Sequence, residues 1–442
     1  MKTESDLRPY QQRAVEYILN KRRCGLNLGM GLGKTISALT AFSRIRNIEV
    51  KKVLVIAPLN TAKSTWHNEL LDWEHTKHLT YSIVWGNEKE RHEALKKEVD
   101  VYITNQENVV WMFKNKYSKF GMIIVDESTG FKSHSAKRFN SLRKFKSEYM
   151  ILLSGTPMPN GEIDMWAQQY LIDHGVMFGD GICKYRSAFF EHKPHIHKYI
   201  CKFPKLIASK LSANWLSMKS EDYIDLPDKI MNIVPVEIDN INLYKKFEKE
   251  YYMKIEDEEL TAANAAVLYS KLLQYCNGAI YNEEGEYIEI HNNKLDMMEE
   301  IINNCPDENV LVAFKFRSDE ERIRKRFNHA ITINSKNIEE VKEKWNKREI
   351  KLLLCNSASA KGLNIQYGGR IIIWFGLDIN AENYLQFNDR LHRHGQTKPV
   401  IIYHLVAKNC KDEQLMKALD QKIVSQDNLF RIMREKNASV LK

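Results

Sequence analysis

An apolar run at residues 24–28 passes directly into Gly29-Met30-Gly31-Leu32-Gly33-Lys34-Thr35, and an amphipathic segment continues to about residue 45. A glycine-rich turn joining a buried strand to a helix is a narrow structural commitment. Its backbone N–H groups can close round a phosphate at the positive end of the helix only where no Cβ stands in the way. In that setting Gly29, Gly31 and Gly33 shape the loop, Lys34 reaches the β- and γ-phosphates, and the Thr35 hydroxyl is a ligand for Mg²⁺. The strict pattern G-x-x-x-x-G-K-[ST] is not met, because Leu28 holds the first glycine position. What remains is G-x-G-K-T in strand–turn–helix context, which calls for a parallel α/β domain.

The rest of the chain agrees with that architecture. Short apolar runs bounded by Gly, Pro, Asp or Ser recur at 24–28, 53–57, 101–104, 122–125 and 150–153, then at 310–314, 330–333, 351–355, 370–375 and 400–406. Continuous apolar character of this length reads as strands buried on both faces of a parallel sheet. Helical patterns lie between them, as at 319–327, 338–347 and 381–391. Residues 160–290 lack the alternation and carry charged and aromatic stretches. The expected fold is α/β, with two parallel-sheet lobes at 1–230 and 231–442. A basic, partly helical insertion is expected at about 160–225, a helical junction at about 240–290 and C-terminal helices at about 411–436.

A phosphate loop needs an acidic partner at the end of a neighbouring buried strand, and Gly121-Met-Ile-Ile-Val-Asp126-Glu127 supplies one. Asp126 is placed to orient Mg²⁺, and Glu127 to polarise the water that attacks the γ-phosphate. The second half of the chain has no phosphate loop but carries Gln386-Phe-Asn-Asp389-Arg390-Leu-His392-Arg393-His394-Gly395-Gln396. If that segment is helical, Gln386, Arg390 and Arg393 share one face, and the two guanidiniums suit the charge that develops on a departing γ-phosphate.

The 442 residues include 66 Lys plus Arg and 57 Asp plus Glu, a net charge of +9. The excess is local. Residues 1–230 hold 35 basic and 25 acidic side chains, against 31 and 32 in the remainder. Two stretches carry it: 132–146, with six basic residues and no acid, and 184–219, with eight against Glu191 alone. Such stretches suit a polyanion, or are merely solvated faces. In the second, Lys184, Arg186, Lys193 and Lys198 are interleaved with Tyr185, Phe189, Phe190, Tyr199, Phe203 and Trp215, which favours phosphate contact over base stacking. The seven cysteines are scattered singly, and His192, His195 and His197 match no standard zinc spacing. No apolar run approaches the ~20 residues that span a bilayer, so no membrane association is expected.

In order and spacing these motifs resemble the superfamily-2 helicases, and among them the Swi/Snf-type DNA translocases. Leu7-Arg8-Pro9-Tyr10-Gln11-Gln12 is similar to the family's opening motif, in which Gln11 would read adenine. Val53 to Pro58 with Trp66 and Glu69, and Ile103-Thr104 with Glu107, resemble the next two. Leu153-Ser154-Gly155-Thr156-Pro157-Met158-Pro159-Asn160 resembles the S/T-G-T-P-x-x-N element that links ATP state to DNA contact. Leu226-Pro227-Asp228-Lys229, residues 272–278, residues 293–314, residues 357–365 and residues 386–396 match the remaining motifs, so that the likeness covers about 7–408.

The resemblance implies RecA-like lobes holding ATP and Mg²⁺, with Gln11, Gly33, Lys34 and Thr35 on one side and Arg390 and Arg393 on the other. It also implies DNA contacts at Trp66, Thr104 and Lys361. Three motifs depart from the pattern: Thr129 replaces the His of D-E-x-H, Ser359 and Lys361 alter R-A-G-G-L, and Leu28 and Gly29 replace an acidic pair. The expected protein is a DNA-dependent ATPase or helicase, a monomeric motor on duplex, forked or branched DNA or on single strands. It would work in repair, recombination or replication in the cytoplasm of a prokaryotic cell, and a compact prokaryotic or phage-encoded enzyme fits better than a nuclear remodeller. An RNA helicase of the same superfamily and a weakly active DNA-binding adaptor are the alternatives.

Overall fold

The computed structural model describes residues 1–439 apart from 60, 194–197, 258–261, 335 and 361, so His195, His197 and Lys361 lie outside the described residues. The chain divides into two compact units, residues 1–224 with 424–442, and residues 225–423.

The first unit contains β1 (Arg23–Leu28), β2 (Val53–Ala57), β3 (Tyr81–Val84), β4 (Val101–Asn105), β5 (Met122–Asp126) and β6 (Tyr149–Ser154), then a hairpin of β7 (Phe190–Lys193) and β8 (Lys198–Cys201), then β9 (Trp215–Met218). Seven of these form one sheet in the order β3-β4-β2-β5-β6-β1-β9, with every neighbouring pair parallel. The apolar runs are continuous because both faces are covered. Along β2, Leu54 and Ile56 enter one buried cluster while Val53, Val55 and Ala57 enter the other.

The second unit contains β10 (Lys229–Val236), a hairpin of β11 (Ala279–Tyr281) and β12 (Tyr287–Glu289), then β13 (Val310–Phe314), β14 (Ile331–Thr332), β15 (Leu352–Asn356), β16 (Ile371–Trp374) and β17 (Val400–Ala407). Its sheet runs β10-β17-β16-β13-β15-β14 and is also wholly parallel. Each unit is a RecA-like lobe, as the sequence implies.

The middle of the chain holds more strand than its charge and aromatic content suggest. The stretch 160–225 contains the β7–β8 hairpin and the edge strand β9 as well as helices Met165–Asp173, Ile182–Phe189 and Pro204–Leu211. The C-terminal segment is one helix, Lys411–Ser439, where one or two were expected with the second lobe. Leu415, Met416 and Leu419 join the core of the second unit, whereas Leu429, Phe430 and Met433 are buried in that of the first. An apolar helical face read from sequence does not say which core it enters. No helix among the described residues is long and apolar enough to cross a membrane.

Strand register sets up the site. Asn27 of β1 pairs with Ser154 of β6, and Asp126 of β5 pairs with Leu153. The carboxyl ends of three consecutive strands therefore present residues 126–128, 154–157 and 29–35 side by side, where ligands of open parallel sheets bind.

Candidate active site

Helix α1 (Pro9–Lys21) and helix α2 (Lys34–Ile45) frame the phosphate loop. Gly31 and Gly33 have φ of 80° and 75°, a left-handed conformation that side chains disfavour. A Cβ at Gly33 would lie 2.2 Å from Gln11 Nε2, and one at Gly29 would lie 2.2 Å from Ser220 Oγ. Gln11 also caps α1, since its Oε1 accepts from Arg8 N at 2.9 Å. The loop backbone is anchored by the end of β9 and the residues after it, through Gly29 N to Met218 O (2.9 Å) and Ser220 Oγ to Met30 O (2.8 Å).

Lys34 Nζ folds back to donate to Leu28 O at 2.8 Å. It lies 3.6 Å from where a Cβ on Gly155 would stand, and its charge acts on the Asp126 carboxylate. Asp126 is buried, which pushes its pKa up. Trp66 Nε1, the Lys34 charge and Glu127 N oppose that shift. Its two oxygens are separately engaged, Oδ2 by Trp66 Nε1 (3.0 Å) and Oδ1 by Glu127 N (3.0 Å). Glu127 itself has φ 48° and ψ 60°, a strained backbone at the position expected to activate water. Gln106 Nε2 supports the turn by donating to both Asp126 O and Glu127 O at 3.1 Å.

These residues fit MgATP. Gly31 and Gly33 hold a left-handed turn at the start of α2, the Lys34 charge acts on the Asp126 carboxylate, and Thr35 and Asp126 offer the hard oxygen donors that Mg²⁺ prefers. When bound, Mg²⁺ supplies charge neutralisation on the phosphates.

In the second unit the helix Ala381–Asn388 ends before the arginines, so Gln386, Arg390 and Arg393 do not share one helical face. The arginines are instead held by the loop 362–364. Arg390, 5% exposed, donates from Nη1 to Leu363 O (3.0 Å) and from Nε to Gln386 O (2.9 Å). Arg393 Nη1 donates to Asn364 Oδ1 at 2.7 Å, and burial lowers the guanidinium pKa. Gln396 Nε2 donates to Gln366 O and Gly369 O, each at 3.0 Å. Gln386 is buried, with its Nε2 directed at Glu382 Oε1.

The expected nucleic-acid residues fare differently. Trp66 is 0% exposed and Thr104 1%, the latter bonded to Val84 O at 3.2 Å, so neither can touch a strand. Both are corrected to internal roles. Their place in a family-like motif does not reveal which face of the sheet they serve. Lys184 is exposed and paired with Asp180 at 2.8 Å, and Lys193 pairs with Glu191. Arg186 lies 4.6 Å over the Tyr199 ring, and the side chain of Lys198 lies outside the described residues. Among the interleaved aromatics, Tyr185, Phe190 and Trp215 are core, and Phe203 is 47% exposed. Gln106 and Ser220 escape a reading of the sequence. They are uncharged or isolated residues with no spacing signal, and their roles arise only from where the fold puts them.

The SNF2-related domain family matches residues 10–279, and the helicase conserved C-terminal domain matches residues 293–395. A protein designated p41 of Acyrthosiphon pisum secondary endosymbiont phage 1 is 33% identical, covering 97% of this chain and 99% of its own length. An uncharacterized ATP-dependent helicase of Mycoplasma genitalium is 25% identical over 95% of this chain, which spans only 42% of that protein. A Sulfolobus solfataricus SWI2/SNF2 ATPase core in complex with dsDNA is 20% identical, covers 98% of this chain and 94% of its own, and has a TM-score of 0.46. The chain belongs to the SNF2-related family of helicase-type ATPases, whose cofactor is ATP with Mg²⁺.

Proposed function

We propose that the protein is an ATP-driven translocase or helicase acting on double-stranded, forked or branched DNA in repair, recombination or replication, and that it works as a monomer in the cytoplasm of a prokaryotic or phage-infected cell. The observation that carries the ATPase part is the meeting of three strand ends, where Lys34 stands between Leu28 O and the Asp126 carboxylate, beside Gly155. Lys34 and the loop glycines hold the phosphates, Gln11 reads the base, Thr35 and Asp126 hold Mg²⁺, and Glu127 takes the proton of the attacking water. Arg390 and Arg393 add positive charge for the transition state.

The DNA part is supported by cationic surface outside these motifs. Lys137, Lys144 and Lys146 are exposed in the first basic stretch, and Lys202, Lys205 and Lys210 in the second. The helicase name of the Mycoplasma relative supports a nucleic-acid substrate. Steady-state ATP hydrolysis with no nucleic acid, single-stranded DNA, duplex, forked DNA and RNA tests the reading. Stimulation by duplex or forked DNA is expected. Stimulation by RNA alone would establish the RNA helicase instead, and no turnover on any substrate would establish the adaptor.

A further inference from the structure

One buried amide joins the hydrolytic segment to the S-G-T-P segment, and no sequence motif contains it. Gln168 lies in the helix Met165–Asp173 and is 0% exposed. Its Oε1 accepts from Ser128 Oγ at 2.7 Å, and Ser128, itself 0% exposed, directly follows Asp126-Glu127. Its Nε2 donates to Pro157 O at 2.7 Å and to Asp164 O at 3.0 Å. Asp164 in turn accepts from Asn160 N at 2.8 Å and from Asn160 Nδ2 at 3.3 Å, at the far end of the same S-G-T-P-x-x-N element. Both N–H groups of the amide and one acceptor site are thus committed, each to a different segment.

The two segments it joins leave neighbouring strands, β5 and β6. On the other side Gln106 holds the carbonyls of Asp126 and Glu127. The strained Glu127 turn is therefore gripped from both sides, and one grip is shared with Pro157. A displacement of residues 154–157 moves Pro157 O, and with it the amide that fixes Ser128. Buried amides of this kind transmit small shifts because leaving either partner unpaired is costly.

We propose that Gln168 is the positioning residue that ties the segment 154–157 to the Glu127 turn through the Ser128–Gln168–Pro157 bridge, and so holds Glu127 where it activates water. The inference rests on the ATPase reading above and deepens it. Gln168 touches no substrate. Its effect is on the placement of Glu127.

The test is steady-state turnover with saturating duplex DNA for wild type, Gln168→Met, Ser128→Ala and the double variant. Methionine matches the volume of glutamine without its hydrogen bonds. Gln168→Met is expected to lower DNA-stimulated kcat by about ten- to a hundredfold, as small misplacements at a catalytic centre do. KM for ATP is expected to stay unchanged. The double variant is expected to be no slower than Gln168→Met, because one bridge is lost only once. Stimulation of Gln168→Met equal to wild type would overturn the proposal, as would losses that multiply in the double variant. If Gln168→Met fails to fold, Ser128→Ala alone decides: it must lose stimulated kcat at constant KM, and wild-type stimulation overturns the bridge. Failure of the ATPase reading looks different, because Lys34→Ala would then hydrolyse ATP as wild type does.

Discussion

Trp66 Nε1 donates to Asp126 Oδ2 at 3.0 Å, and both residues are buried. The bond selects one orientation of the carboxylate and favours its charged form against the burial that disfavours it. Trp66→Phe keeps most of the apolar packing and removes the N–H. Outer partners of metal ligands are worth about 10–100-fold in metal affinity, and a loss in that range is expected here. Calorimetric titration with Mg²⁺ of the protein loaded with a non-hydrolysable ATP analogue checks it without turnover. Leu79→Ala, in the same buried cluster, controls for lost stability, and equal Mg²⁺ affinity of Trp66→Phe and wild type would refute the role.

Lys34 and Glu127 separate binding from hydrolysis. Lys34→Ala removes the ammonium at the end of β1 and is expected to abolish turnover and weaken ATP binding. Glu127→Gln keeps the shape and is expected to abolish turnover while ATP still binds. DNA binding should persist in both, because the exposed lysines at 137, 144 and 146 are outside the phosphate loop. Fluorescence anisotropy with labelled duplex, run beside the turnover assay, checks all three outcomes. Parallel loss of turnover and DNA binding in a folded variant would contradict the separation.

How far the sequence carries can be seen from single elements. Strands β2 and β13 fall at the expected residues, because a buried parallel strand writes itself as an unbroken apolar run. Strand β3 leaves no such run: its four residues alternate between buried and half-buried. Strand β10 is an edge strand with Ile230, Met231 and Ile233 exposed and a proline at 235, features that argue against a strand when read locally. In the site, charged and glycine residues are legible because phosphate chemistry demands them. Gln106 and Gln168 are not, since an amide acquires a role only from the groups the fold brings to it.

Arg390 serves two carbonyls at once, Leu363 O and Gln386 O. Lysine has one terminal nitrogen and cannot reproduce that fork. Arg390→Lys is expected to lose about 1–3 kcal/mol of stability from the unpaired buried carbonyl, together with nearly all stimulated turnover. Urea denaturation and the turnover assay check the two effects. Activity close to wild type would mean that charge alone, not the guanidinium geometry, is what this position supplies.

The ion pairs redistribute the expected DNA contacts. Lys184 and Lys193 already face Asp180 and Glu191, whereas Lys202, Lys205 and Lys210 are exposed and have no ion-pair partner among the described residues. Neutralising the second set should flatten the plot of log K against log salt by up to about 0.9 per phosphate contact on duplex DNA. Neutralising Lys184 and Lys193 should flatten it less, because each is partly compensated before DNA arrives. Equal slopes for wild type and the Lys202/Lys205/Lys210 variant would make this surface a solvated face.

Acid should weaken the second unit through His404. Its Nδ1 lies 3.3 Å from Asn232 O and its Nε2 2.9 Å from Tyr384 OH. A carbonyl can only accept, so Nδ1 donates and neutral Nε2 accepts from the tyrosine. Burial lowers the imidazole pKa to about 4, against about 6.5 in an unfolded chain. As pH falls from about 6.5 to 4, the unfolded chain takes up a proton that the folded one refuses, so stability is lost across that window, by about 3 kcal/mol in full. Buried Asp319, pushed up to about 6, acts in the opposite sense: folded, it holds a proton that the unfolded chain has released, and it gains stability as pH falls below that value. Buried His291, also lowered to about 4, adds to the loss, so the wild-type slope sums several groups and the difference between variants isolates His404. His404→Gln is expected to be less stable at pH 7 yet to lose less on acidification, as followed by urea midpoints at pH 7, 6, 5 and 4.5. Parallel curves would show that His404 is not the titrating group.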